Sequence, residues 1–88
     1  MNTTYIISYD VAKGGQYEPL INAIKAYGTW AHITESTWAV VTSKEATQIR
    51  DNLIKFLPEG SRLIVVKSGT EAAWGDVLCS NDWLKKNL

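Results

Sequence analysis

Cysteine is almost missing from this chain, and Cys79 stands alone. A single thiol cannot close an intramolecular disulfide or build a cysteine metal cluster. It reads instead as a small buried or half-buried hydrophobe. An excess of either charge is missing as well. Nine Lys and Arg balance nine Asp and Glu, whereas a chain that grips a phosphate backbone broadly carries a basic surplus. That balance argues against general nucleic-acid binding and leaves local patches open. No apolar run approaches the roughly 20 residues that cross a bilayer. Met1-Asn2-Thr3-Thr4 lacks a basic region followed by an apolar core, so no secretion signal is expected. The expectation is a soluble, cytoplasmic domain with no membrane partner.

What is present is ordinary globular material with a heavy aromatic load. Eighty-eight residues make one domain, and a chain this short buries only about two-thirds of its unfolded surface. Its own core is therefore thin. Four Trp and four Tyr are many for such a chain, and large aromatics concentrate in cores and interfaces. An association surface is expected.

Thr4–Asp10 is a β-branched and aromatic run ending in a carboxylate, the pattern of a strand inside a sheet. An acid at the tip of such a strand is held rigidly and faces solvent, as metal or base chemistry requires. Asp10 also suits the start of a loop. Val11–Gln16 carries Gly14 and Gly15 and reads as a flexible connection; it lacks the Gly-Lys-Ser/Thr ending of a phosphate loop. Lys13 within it could meet a phosphate beside Asp10.

Tyr17–Tyr27 predicts a helix, with Pro19 in its first turn and Gly28 as its stop. Leu20, Ile21, Ile24 and Tyr27 form one apolar stripe. Thr29–Thr34 and Thr37–Thr42 predict an antiparallel hairpin with Ile33 opposite Trp38 and Trp30 opposite Val41. Without Asn-Gly, its turn is expected to take four residues. Thr42-Ser43-Lys44-Glu45 reads as a capping box opening a second helix. Ala46, Ile49, Leu53, Phe56 and Leu57 make its stripe, and Pro58 and Gly60 end it. Arg62–Ser68 is the last strand. A short helix capped by Ser80 or Asn81 closes the chain.

Strand, helix, strand, strand, helix, strand is the split βαβ order of a ferredoxin-like α+β domain. The expected fold is a four-stranded antiparallel sheet with two helices on one face, over 1–68. Residues 69–88 form a C-terminal extension that packs on this domain or on a dimer partner. A sheet with one wet face should alternate cleanly. Ile6-Ile7, Ala39-Val40-Val41 and Ile64-Val65-Val66 instead place apolar groups on both faces. A second copy across a two-fold axis would cover the open face, so a homodimer is expected.

Tyr9-Asp10 closing the first strand, Tyr27-Gly28 after the first helix, and the hairpin from Trp30 to Trp38 resemble the small CRISPR-associated Cas-two proteins and their VapD-like relatives. The resemblance covers roughly residues 4–68 and implies a ferredoxin-like homodimer. Family members act as metal-dependent nucleases or as scaffolds for DNA integration. The family's strand-end acid falls on Asp10. Two-fold symmetry would then bring two Asp10 carboxylates together around one Mg²⁺, able to activate water against an RNA or DNA phosphodiester. The chain departs from the family in the first helix, which offers Glu18 and Lys25 where arginines are usual. Its hairpin reads His32-Ile33-Thr34-Glu35-Ser36, and its tail carries Trp74 and Trp83.

Two functions follow. The first is a nucleic-acid-associated homodimer that hydrolyses phosphodiesters through Asp10 and Mg²⁺, with Lys13 on the nucleic acid. The second is a non-catalytic dimeric adaptor or regulator that meets a protein partner, with Trp30, Trp38 and Trp74 as interface residues. Trp30 and Trp38 could also stack bases, although their apolar flanks suit a core or an interface. His32, between apolar neighbours, reads as structural.

Overall fold

Side-chain alternation along the first strand sets the layout of the molecule. The structure is a computed structural model and describes residues 2–69 and 71–88. In β1 (Thr3–Asp10), Tyr5, Ile7 and Tyr9 point to one side. They pack there with Leu20 and Ile24 of α1 (Glu18–Lys25) and with Ile49 and Leu53 of α2 (Ala46–Ile54). Trp38 and Val40 of β3 (Thr37–Thr42) complete this core. Each fully buried aliphatic side chain stabilises the fold by about 1.5–3 kcal/mol relative to exposure.

With β2 (Thr29–Thr34) and β4 (Arg62–Lys67), the strands form one antiparallel sheet in the order β2-β3-β1-β4. Two helices lie on one face. This is an α+β architecture with the strand order of a ferredoxin-like sheet, and β1 is internal to it.

The hairpin strands keep the expected bounds, but their register does not. His32, not Ile33, stands opposite Trp38, and Trp30 faces Val40. A bulge between His32 and Thr34 produces the shift. Thr34 pairs with Thr37, so Glu35 and Ser36 alone make the turn, which is shorter than expected. Neither has positive φ, so this is not one of the mirror-image turns that match strand twist, and the bulge absorbs the mismatch.

The second helix also starts later than the Thr42 capping box predicts. Thr42 stays in β3 opposite Thr3, and its Oγ1 accepts the Lys44 N–H at 3.3 Å. The capping role passes to Glu45, whose N–H donates to Gln48 Oε1 at 2.8 Å. Phe56 falls beyond the helix, where its N–H closes a turn on Leu53 O, and it is exposed rather than part of the stripe.

The loop after Asp10 is tied down. Ala12 N–H donates to Ser61 Oγ at 2.8 Å, and Gly15 N–H to Ala12 O at 2.9 Å. A β-carbon on Gly15 would stand 2.5 Å from Val11 Cγ1 and 2.6 Å from Pro58 Cγ. Glycine is needed here for close approach, not for flexibility.

The second face of the sheet is half covered by the chain itself. α3 (Asn81–Asn87) is capped by Ser80, whose side chain accepts from Trp83 N–H. It inserts Leu84, fully buried, against Ile33 and Ala39, with Ile6, Trp74, Val77 and Trp83 around them. Thr4 Oγ1 donates to Asn87 O at 2.7 Å, and Leu78 N–H reaches Ile33 O on the outer strand β2 at 2.9 Å. The tail thus covers β2, β3 and the start of β1. Over that half it fills the place that the sequence reading gave to a second copy. The β1–β4 half stays open.

Candidate functional site

Asp10 ends β1 on the same face as Thr4, Ile6 and Ser8, and its direct cross-strand partner is Arg62. Arg62 Nη1 lies 3.7 Å from Asp10 Oδ2, with side chains 83% and 69% exposed. So exposed a pair contributes at most about 1 kcal/mol. Its importance is chemical: the guanidinium competes for the carboxylate that a cation would need. Ser8, Asp10, Arg62 and Ile64 border a shallow concavity of about 180 Å³. Ile64 and Val66 beside it are 58% and 47% exposed.

The strand tip under Asp10 is fixed from the core side. Tyr9 is buried, and its OH accepts from Trp38 Nε1 at 3.1 Å. Burial pushes the Tyr9 phenol above its ordinary value; the Trp38 hydrogen bond opposes this in part, while Tyr17 and Glu35 add to the rise. Tyr9 N–H also donates to Ser36 O at 3.2 Å. Asp10 is therefore rigidly placed although it is itself solvated.

Among the described residues, no group of three His, Cys, Asp or Glu side chains comes close enough to hold a metal ion. Mg²⁺ takes near-octahedral oxygen ligands, and one carboxylate beside a guanidinium does not fit that need within a single chain. Lys13 is exposed in the loop that follows Asp10.

The tryptophans separate. Trp38 is 2% exposed and belongs to the core. Trp30 is 37% exposed, tilted against Trp38 with centroids 5.4 Å apart, and Lys25 Nζ sits 4.9 Å over its ring. His32 stacks on Trp38 at 4.1 Å, and its Nε2 lies 3.2 Å from Glu35 O, a structural placement. Trp74 is half-buried in the tail cluster, and its Nε1 donates to Asn81 Oδ1 at 3.0 Å. The fold thus does not bring Asp10, Lys13 and the tryptophans into one site.

Sequence reasoning singled out Ile64-Val65-Val66 as a run needing cover but missed Arg62 and its place beside Asp10. The signal was available, because Arg62 opens that run. No helix among the described residues is long and apolar enough to cross a membrane. Compared with protein-family models, curated proteins and solved structures, the chain matches none.

Proposed function

We propose that this protein is a Cas-two-like homodimeric module that serves as a scaffold in a nucleic-acid complex rather than as the cutting enzyme. The observation that carries the reading is the β1–β4 half of the sheet. It exposes Ile64 and Val66 beside a carboxylate already engaged by Arg62. Such a surface suits docking, and a carboxylate paired with a guanidinium is poorly prepared to collect a divalent cation. The strand order and the rigid Asp10 tip support kinship with the ferredoxin-like family that the sequence resembles. With a net charge of zero, contact with nucleic acid is local, at Lys13 and Arg62 near one end of the sheet, or passes through a protein partner.

A second reading is the metal-dependent nuclease, in which two copies of Asp10 hold one Mg²⁺ and RNA or DNA is hydrolysed. The exposure of Asp10 on the rim of an open concavity favours it. One set of assays separates the two. The scaffold reading expects no cleavage of RNA or DNA with Mg²⁺ or Mn²⁺, together with salt-sensitive binding that Lys13→Glu weakens. Cleavage that Asp10→Asn abolishes refutes the scaffold in favour of the nuclease. No binding to any nucleic acid at low salt refutes both and leaves an adaptor for a protein.

A further inference from the structure

Backbone alternation along β4 points to a particular surface. Ser68 N–H donates to Thr4 O at 2.9 Å, while Tyr5 stands opposite Lys67. Tyr5–Lys67 is therefore a non-hydrogen-bonded pair, and the pattern alternates from there. Val66, Ile64 and Arg62 turn their N–H and C=O toward β1. Leu63, Val65 and Lys67 turn theirs outward, on the side where the sheet ends. Among the described residues no backbone hydrogen bond joins that side to another element. The opposite edge differs, because Leu78 already occupies Ile33 O on β2.

Apolar side chains gather along the same edge. Ile64 and Val66 are exposed on the tail side of the sheet, and Ile54 of α2, near β4 on the helix side, is 54% exposed. An edge this apolar and unpaired is a template for another strand.

We propose that the occupant is β4 of a second copy, paired antiparallel about a two-fold axis through Val65, so that two sheets become one continuous sheet. The proposal deepens the dimeric scaffold reading and rests on it. The register follows from the outward groups. With the axis at Val65, Val65 faces its own copy and Leu63 faces Lys67 of the other chain, making roughly six hydrogen bonds. Moving the axis by one residue leaves Leu63 or Lys67 without a strand partner.

This register is also self-complementary in its side chains. Ile64 meets Val66 on one face, a β-branched pair of the kind that supports ladders. Both cations of β4 fall opposite uncharged residues, Lys67 against Leu63 and Arg62 against Ser68, so no like charges meet. A strand of this length is about 20 Å long, and with α2 alongside it buries roughly 400–500 Å² per partner, at the low end for a specific interface. The dimer should therefore dissociate on dilution. It also holds the two Asp10 carboxylates roughly 20 Å or more apart, out of reach of one shared ion, as a scaffold permits and a shared-metal nuclease does not.

The test combines sedimentation of the full chain across concentration with amide hydrogen exchange by NMR. The expected result is a monomer–dimer equilibrium in which the amides of Leu63, Val65 and Lys67 gain at least tenfold protection as concentration rises. Ile64 and Val66, already bonded inward, should change little. Val65→Pro, which removes one outward N–H, should abolish the dimer. Ile64→Lys serves as a second variant if circular dichroism shows the proline form unfolded. A dimer that persists in the folded variant, or that protects none of the three amides, overturns the edge proposal and leaves the dimeric scaffold standing on another surface. A monomer at every concentration overturns both.

Discussion

Truncating Leu84 to alanine removes the buried side chain through which α3 holds the second face of the sheet. Leu84 is fully buried against Ile33 and Ala39. Losing its isopropyl end costs about 2.4 kcal/mol in transfer, at about 0.8 kcal/mol for each of three carbons. A cavity term adds to this, since Leu→Ala in a core spans roughly 2.7–5.0 kcal/mol. A surface helix can settle toward the small Ala39 beneath it, so the lower end applies and about 3 kcal/mol is expected. For a domain of this size each kcal/mol moves the melting point by about 4–8 °C, giving a fall of roughly 12–24 °C. Thermal denaturation followed by circular dichroism reads it, with Lys85→Ala, exposed on the same helix, as a control expected within about 0.5 kcal/mol of the parent. A loss below about 1 kcal/mol for Leu84→Ala would refute the view that the tail is part of the folded unit, because a helix merely resting on the sheet would detach at little cost.

Two further outcomes follow from the core and the loop. Tyr9→Phe strands the buried Trp38 indole N–H and should cost about 1–3 kcal/mol in urea denaturation. Because the folded Tyr9 value is raised, its neutral form contributes in full below its unfolded value near pH 10, and that contribution is lost as pH climbs through the raised folded value. The alkaline decline in stability should accordingly be shallower in Tyr9→Phe than in the parent, and an equally steep decline would show that Tyr9 does not drive it. Gly15→Ala forces its new methyl onto Val11 and Pro58, two side chains with little freedom to retreat, and should cost about 1–3 kcal/mol; an unchanged melting point would mean that the loop is not pressed against Pro58.

The elements were legible because they depend on neighbours in sequence. Runs such as Thr29–Thr34 and Thr37–Thr42 announce strands by composition, and Gly28, with φ of +95°, announces a stop. The register was not legible, because the bulge at Ile33 answers to strand twist around an ordinary turn and leaves no local mark. The Thr42 cap failed for a related reason: a residue that reads as a cap was already committed to pairing with Thr3 across the sheet. At the candidate site, the position of Asp10 could be read but its partner could not. Arg62 lies 52 residues away in the chain, and only the β1–β4 register brings the two together. The tail posed the hardest case. Trp74, Leu84 and Leu88 are too sparse to show a periodic stripe, so apolar groups on both faces of the sheet pointed to a partner where the chain had half supplied its own cover.

The single hydrogen bond from Leu78 to Ile33 has a consequence for stoichiometry. A sheet open at both edges is a monomer in the polymer chemist's sense, able to add units in two directions without limit. Here the chain's own tail takes up Ile33 O on the β2 edge, so the β4 pairing proposed above is the favoured direction of strand addition, and a two-fold pair built that way uses up the β4 edge of both copies.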